Sequence, residues 1–231
     1  MKRFWNEVAV ERVEGGWRVA LDGRPIRTQG GNPQVVPRQA LAEALAAEWR
    51  AQAEQIDANA FPLRDLADYA IDHVRADRAA AIAGLLKYAE TDTLCYRADP
   101  DEPLYRRQQA LWEPLLTAVE ARHGVRFERV SGVIHRRQPE ATLVTLAEAL
   151  AAHDELTLAA LTTLAPLAAS LSVALEAVEP GADPAALFAA ANCEEDWQAE
   201  LWGWDLEAER ARAVRLAAFE KAVEFAGMVR M

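Results

Sequence analysis

The chain has 231 residues, enough for one large domain or two small ones. Its composition, with 52% hydrophobic and 26% charged residues, is typical of a folded chain rather than a disordered one. It has 11 glycines and 11 prolines, too few for a collagen-like or linker-like class. The richest apolar stretch, residues 156–175, is interrupted by threonine, serine and proline, so no membrane span is expected.

The net charge of −11 is distributed unevenly along the chain. Residues 1–137 carry 20 basic and 20 acidic side chains, whereas residues 138–209 carry 14 acidic side chains and no Lys or Arg. A long acidic stretch disfavours nucleic-acid binding, which depends on neutralising phosphates, and favours a basic protein surface as partner. The alternative is a solvated acidic face that maintains solubility.

The first 37 residues predict a small antiparallel sheet built from hairpins. Apolar and polar residues alternate through residues 4–13 and again through 17–21, with Gly15 and Gly16 at the turn between them. Asp22-Gly23 is a typical hairpin dipeptide, and residues 35–36 predict one more short strand.

From residue 37 onward the apolar residues recur with a helical period. Pro62 begins one helix, and the others are predicted near 37–54, 77–92, 103–123, 140–152, 154–177, 183–201 and 205–226. Residues 125–136 predict an extended connector. The predicted class is α+β, with a β-rich α/β domain over 1–77 that combines an antiparallel sheet with helices, followed by a mostly α-helical bundle domain over 78–231.

The two cysteines and the N-terminus indicate the compartment. Cys95 and Cys193 lie far apart in sequence and predict two reduced core thiols rather than a disulfide framework or a zinc site. The first residues resemble neither a secretory signal nor an Arg- and Ser-rich transit peptide, so a cytoplasmic protein is expected.

The strongest candidate for an enzyme site is a row of aspartates, Asp65, Asp68 and Asp72, on one face of the helix that Pro62 begins. Such carboxylates can hold Mg²⁺ together with substrate phosphates, so a magnesium-dependent small-molecule enzyme is the alternative function. The competing interpretation is a solvated helix face neutralised by nearby arginines. The four histidines lack metal-ligand spacing, and no Gly-x-Ser-x-Gly motif occurs, so we predict no catalytic residue, metal or cofactor.

The most unusual segment is residues 193–209, where three tryptophans and seven acidic residues occur in 17 positions. Gly203 predicts a helix end, and Asp205 predicts the N-cap of the following helix. Aromatic side chains ringed by charge are typical of protein-binding hot spots. The candidate partner-binding residues are Glu194, Glu195, Trp202, Trp204, Asp205 and Glu207. The alternative places the tryptophans in the core, which is favoured for Trp197 and Trp202, with the acids as rim and caps.

Sequence blocks spread over nearly the whole chain carry a family resemblance. They run from Arg3-Phe4-Trp5 through Leu21-Asp22-Gly23-Arg24-Pro25-Ile26, Ala47-Glu48-Trp49, Thr91-Asp92-Thr93-Leu94-Cys95-Tyr96 and Trp112-Glu113-Pro114 to Trp202-Gly203. In order and spacing they resemble the ATP synthase F-one assembly chaperones that handle the alpha subunit. The resemblance implies a non-catalytic protein without a cofactor, with a small α/β N-terminal domain and a helical C-terminal domain.

The resemblance also implies a partner and a site. Members of the family are implied to bind the newly made alpha subunit and to shield its aggregation-prone surface until the beta subunit takes over. This chain resembles a bacterial, cytoplasmic member, whereas eukaryotic relatives work in the mitochondrial matrix. An acidic residue just after the Trp-Gly pair is implied to be essential, and that role falls jointly on Asp205 and Glu207.

Overall fold

The N-terminal residues form a three-stranded antiparallel sheet in the order β1-β2-β3. The computed structural model describes residues 1–132 and 135–230. Asp22 and Gly23 join the second strand to the third with positive φ angles of 48° and 75°, which match the twist of a tight hairpin. The strands are β1 (Val8–Val13), β2 (Gly16–Leu21) and β3 (Arg24–Pro25).

A further backbone segment lies beside the sheet at β2. Trp17 and Val36 exchange backbone hydrogen bonds of 2.8 and 2.9 Å. Only glycine fits at position 16, because a Cβ there would lie 2.2 Å from the carbonyl oxygen of Val36. The short strand predicted at residues 35–36 is therefore a single bridge at Val36.

Helices make up most of the remaining described chain. They are α1 (Gln39–Arg50), α2 (Pro62–Tyr69), α3 (Arg78–Glu90), α4 (Pro103–His123), α5 (Glu140–Ala151), α6 (Glu155–Ala168), α7 (Leu171–Ala177), α8 (Pro184–Ala191), α9 (Cys193–Trp202) and α10 (Leu206–Arg230). The π-helical turn Ala70–Val74 directly continues α2. Two short strands, β4 (Tyr96–Arg97) and β5 (Val130–Ser131), pair in parallel. Residues 133 and 134 of the predicted extended connector lie outside the described residues.

Two predicted helices are each divided into two, so their predicted continuity is wrong. The helix predicted over 154–177 breaks at Ala169, which adopts a left-handed φ of 47°. Ser170 then caps α7, because its side chain accepts a hydrogen bond from the Val173 N–H at 3.0 Å. The helix predicted over 183–201 breaks at Asn192, which lies between α8 and α9.

One continuous hydrophobic core joins the two parts of the chain. It extends from Val19 in β2 and Leu41 in α1 to Phe225 in α10. Helix α6, whose residues 156–161 are all buried, packs against α2, α3, α7 and α10. A division into domains at residue 77 stays a prediction. In the described part of the chain, no helix combines the length and the apolar character needed to cross a membrane.

Candidate partner-binding site

Asp72, in the predicted aspartate row, binds a loop of the same chain. Its Oδ1 accepts hydrogen bonds from the Thr28 hydroxyl at 2.6 Å and the Asn32 amide at 2.8 Å, and its Oδ2 accepts one from the Gly30 N–H at 2.7 Å. A Cβ at Gly30 would lie 2.7 Å from the Asp72 carboxyl carbon, so glycine permits this approach. Burial raises the pKa of Asp72, but the hydrogen bonds outweigh it and hold the pKa below its usual value.

Asp68 and Asp65 bind the same loop from the neighbouring turns of α2. Asp68 is 3% exposed and accepts hydrogen bonds from the Gln34 side-chain amide at 2.5 Å and the Gln29 N–H at 3.1 Å. Burial raises the pKa of the Asp68 carboxyl despite these bonds. Asp65 accepts a hydrogen bond from the Gln29 side-chain amide at 3.3 Å and pairs with Arg64 at 2.7 Å.

The row therefore fastens residues 28–34 to the helix instead of forming an open carboxylate cluster. Across residues 1–132 and 135–230, no group of three or more His, Cys, Asp or Glu side chains is placed to hold a metal ion. The magnesium-dependent alternative has no support at these aspartates.

Helix α9 is held in place by arginines from distant parts of the chain. They come from α4 and α10, and because guanidinium groups match carboxylates geometrically they neutralise most of its acidic residues. The ion pairs are Arg107–Glu200 at 2.5 Å, Arg212–Asp196 at 2.7 Å, Arg212–Glu195 at 3.3 Å and Arg215–Glu195 at 2.6 Å.

Two of the candidate binding residues thus have partners within the chain. Glu195 makes the ion pairs with α10, and Glu194 accepts a hydrogen bond from the buried Gln108 side chain of α4 at 2.7 Å. Their part in binding another protein stays a prediction.

The turn between α9 and α10, residues 201–207, exposes a group of large apolar side chains; we call it the α9–α10 turn. Trp202 is 77% exposed, so the expectation that it packs in the core is wrong. Leu201, Leu206 and Trp204 are 55%, 60% and 41% exposed. Gly203 ends α9 with φ 84°, a backbone conformation that favours glycine.

Arg212 links the α9–α10 turn to the body of the protein. Its guanidinium carbon lies 5.6 Å from the ring centroid of Trp204 and 5.1 Å from that of Phe188, within cation–π range of both rings. Trp197 is half-buried beside Arg107, whose guanidinium carbon lies 5.8 Å from its ring, so Trp197 is not fully in the core either.

Asp205 and Glu207 flank the exposed apolar side chains. Asp205 is the N-cap of α10, because its Oδ2 accepts hydrogen bonds from the N–H groups of Glu207 and Ala208 at 3.1 and 3.2 Å. Both carboxylates are exposed, and neither has an ion-pair partner within 1–132 and 135–230. The α9–α10 turn therefore offers apolar area and negative charge at one place.

Sequence reasoning missed Leu201 and Leu206 as part of this surface. A usable signal was present, because both residues are apolar and lie close to the predicted helix break at Trp202-Gly203. The pattern did not reveal on which side of the molecule the turn lies.

Exposed apolar side chains beside unpaired carboxylates are typical of protein-docking surfaces, so partner binding at the α9–α10 turn stays the prediction. The comparison with protein families identifies the class of protein. A family model described as "ATP12 chaperone protein" matches residues 2–120, just over half of the chain. The chain belongs to the ATP12 chaperone family.

Solved structures and a curated relative extend this match over the whole chain. The crystal structure of Atp12 from Paracoccus denitrificans is 39% identical, covers 99% of this chain and 98% of that chain, and superposes with a TM-score of 0.93. A candidate chaperone from Agrobacterium tumefaciens is 38% identical, with 98% and 85% coverage and a TM-score of 0.93. The mitochondrial protein atp12 of Schizosaccharomyces pombe is 24% identical over 214 residues, which are 87% of this chain and 74% of that protein.

These matches confirm several expectations from the sequence. The α+β class, with a small antiparallel sheet followed by helices, is the fold of the solved relatives. The resemblance to the ATP synthase assembly chaperones is confirmed. The family is described as a chaperone family and one solved relative as a candidate chaperone, which confirms that the chain is a non-catalytic assembly chaperone and not an enzyme.

Proposed function

We propose that this chain binds the free alpha subunit of the ATP synthase catalytic sector and shields it from aggregation until it assembles with the beta subunit. Membership of a chaperone family supports the general role. The observation that carries the proposed site is the α9–α10 turn, with Trp202 77% exposed beside two carboxylates that have no ion-pair partner in the described chain.

The chemistry of the turn suits a client of this kind. A subunit of a symmetric ring that has no neighbour exposes apolar interface, and such surfaces aggregate. Exposed tryptophan and leucine side chains supply contact area for that surface, whereas Asp205 and Glu207 accelerate encounter with a basic client. A small turn gives modest affinity, which allows release to the beta subunit.

We also propose that the chain works in a bacterial cytoplasm. The solved relatives at 38–39% identity come from two bacteria, whereas the mitochondrial relative is 24% identical. An alpha subunit made in the same compartment would be the natural client.

The test is co-expression of the tagged chain with the alpha subunit in the absence of beta. The wild-type chain should keep alpha soluble and co-purify with it. Trp202→Ala and Glu207→Lys should each raise the Kd for purified alpha about tenfold or more, because hot-spot side chains typically contribute 2 kcal/mol or more. The effect of Glu207→Lys should shrink at high salt, since screening weakens exposed charges.

Glu220→Lys is the matched control. Glu220 is exposed and belongs to α10, like Glu207, but lies far from the α9–α10 turn. Its replacement by lysine makes the same change of charge. It should bind alpha as the wild type does. Equal binding by Glu207→Lys and Glu220→Lys would move the site away from the turn, and a wild-type chain that captures no alpha would overturn the proposed function.

A further inference from the structure

A surface groove lies between α4 and α8, outside the α9–α10 turn. It has a volume of about 460 Å³ and an apolar lining. Leu111 on one wall is 38% exposed, although leucine is usually buried. The apolar lining comes from Leu111, Pro114 and Leu115 of α4 and from Ala186, Leu187 and Ala190 of α8.

A backbone acceptor lies in the same groove. Pro114 is inside α4 and has no N–H, so the carbonyl of Ala110 lacks the helical hydrogen bond that residue 114 would otherwise donate. Both residues line the groove. The carbonyl oxygen of Ala110 therefore lacks the hydrogen bond that it would have in a regular helix.

The charged residues around the groove are mainly acidic. Glu176, Glu179 and Asp183 line it together with a single cation, Arg122. The Arg122 guanidinium pairs with Glu176 and lies 3.9 Å from Glu179, so it is already neutralised within the chain. With three carboxylates and one guanidinium, the rim of the groove has a net negative charge, which complements a basic partner.

The groove adjoins the α9–α10 turn along α4. Arg107 of α4 pairs with Glu200, the residue before Leu201. Leu111 follows Arg107 by one helical turn on the same face. The Arg107–Glu200 ion pair thus lies between the α9–α10 turn and Leu111 of the groove.

We propose that the α4–α8 groove receives an apolar segment flanked by basic residues from the same client, the free alpha subunit. This inference rests on the proposed function and adds a second, adjoining contact to it. The groove suits a polypeptide better than a small ligand, because small-ligand pockets bring several free polar groups together, whereas here the one guanidinium is paired.

The test compares two tryptophan substitutions on α8 in the full chain. Ala186→Trp fills the groove, whereas Ala185→Trp adds the same bulk on the solvent face of the same helix. Both positions are exposed, so both variants should fold, and matching far-UV circular dichroism and Tm will check this. Affinity for purified alpha subunit is then measured by isothermal titration calorimetry.

Ala186→Trp should raise the Kd about tenfold, and Ala185→Trp should leave it unchanged. Leu111→Ser, which removes a wall side chain without adding bulk, should also weaken binding and serves as the second variant. Hydrogen exchange in the complex should slow at residues 107–118 and 184–191.

The outcomes separate this inference from the function on which it rests. If Glu207→Lys weakens binding but Ala186→Trp and Leu111→Ser bind as tightly as Ala185→Trp, the groove is not a client site and the proposed function stands. If the wild-type chain binds no alpha subunit, both fail. If Ala186→Trp instead changes only the sedimentation of the chain alone, the groove binds a second copy and the inference is overturned.

Discussion

The aspartate row of α2 and the α9–α10 turn differ in what their carboxylates contact. In the row, Asp72 receives three hydrogen bonds from a neighbouring loop, and Asp68 is almost completely buried. In the turn, Asp205 and Glu207 are exposed and have no ion-pair partner in the described chain. Acidic residues that look similar in the sequence therefore hold a loop in place in the row, whereas in the turn they stay exposed at the surface.

The difference follows from where the surrounding donors lie. The loop at residues 28–34 places backbone N–H groups, an amide and a hydroxyl within reach of the row. Near the turn, Arg212 and Arg215 of α10 pair instead with Glu195 and Asp196 of α9. A carboxylate without an internal ion pair stays at the surface with its negative charge uncompensated.

Among the carboxylates of the row and the turn, replacement of Asp68 should have the largest effect on stability. Asp68→Ala leaves the buried Gln34 amide and the Gln29 N–H without their acceptor, so the free energy of unfolding should fall by about 3 kcal/mol. Urea denaturation measures it. Asp65→Ala, in the same row but at an exposed side chain, is the control and should cost less than about 1 kcal/mol. Equal losses would remove the distinction between buried and exposed members of the row.

Asp72→Asn should reduce stability by about 1.5 kcal/mol at pH 7, because an amide cannot accept all three hydrogen bonds. It should also change the pH dependence. The folded pKa of Asp72 lies below 3.8, so the unfolded chain takes up the proton first as the pH falls. The contribution of Asp72 to the free energy of unfolding is complete above pH 3.8. It is lost as the pH falls from there through the lower pKa of the folded state.

The urea midpoint of Asp72→Asn should therefore decline less steeply than that of the wild type between pH 5 and pH 3. Parallel curves for the two proteins would contradict the lowered pKa.

Two substitutions at Asp205 distinguish its role as the cap of α10 from the role of its negative charge. Asp205→Ala loses the cap of α10 and should lower the free energy of unfolding by about 1 kcal/mol, whereas Asp205→Asn keeps an acceptor oxygen and should stay near wild type. Both variants remove the charge and should weaken binding of alpha. If Asp205→Asn binds normally, the carboxylate contributes to the fold alone.

Trp202→Ala should have the smallest effect on stability, below about 0.5 kcal/mol, because the side chain is 77% exposed. Thermal unfolding measures this effect, with Trp112→Ala as the comparison. Trp112 is buried, and its indole N–H donates to the Ala190 carbonyl at 2.7 Å. Its replacement by alanine should lower the free energy of unfolding by about 4 kcal/mol. A marked drop in Tm for Trp202→Ala would mean that the turn supports the fold rather than a partner.

Local signals in the sequence predicted many of the elements. The predicted helix at 103–123 has the bounds of α4, because Pro103 suits the first helical position and Gly124 suits the left-handed residue after the end. The hairpin at Asp22-Gly23 was predicted for the same local reason. The break at Ala169 was missed, since alanine favours helix and the turn is stabilised from outside, where the Thr93 hydroxyl donates to the Ala169 carbonyl at 2.9 Å.

The sequence by itself determined the fold class and most helix positions, because caps, turn residues and periodicity act over a few neighbouring residues. The family followed from the resemblance of sequence blocks along the chain. Tertiary structure alone decided which carboxylates are free. Arg107 and Glu200 are 93 residues apart and still form an ion pair, so part of the long acidic stretch is neutralised by distant arginines that no local pattern reveals. It also decided that Trp202 lies at the surface, because burial depends on how distant elements pack.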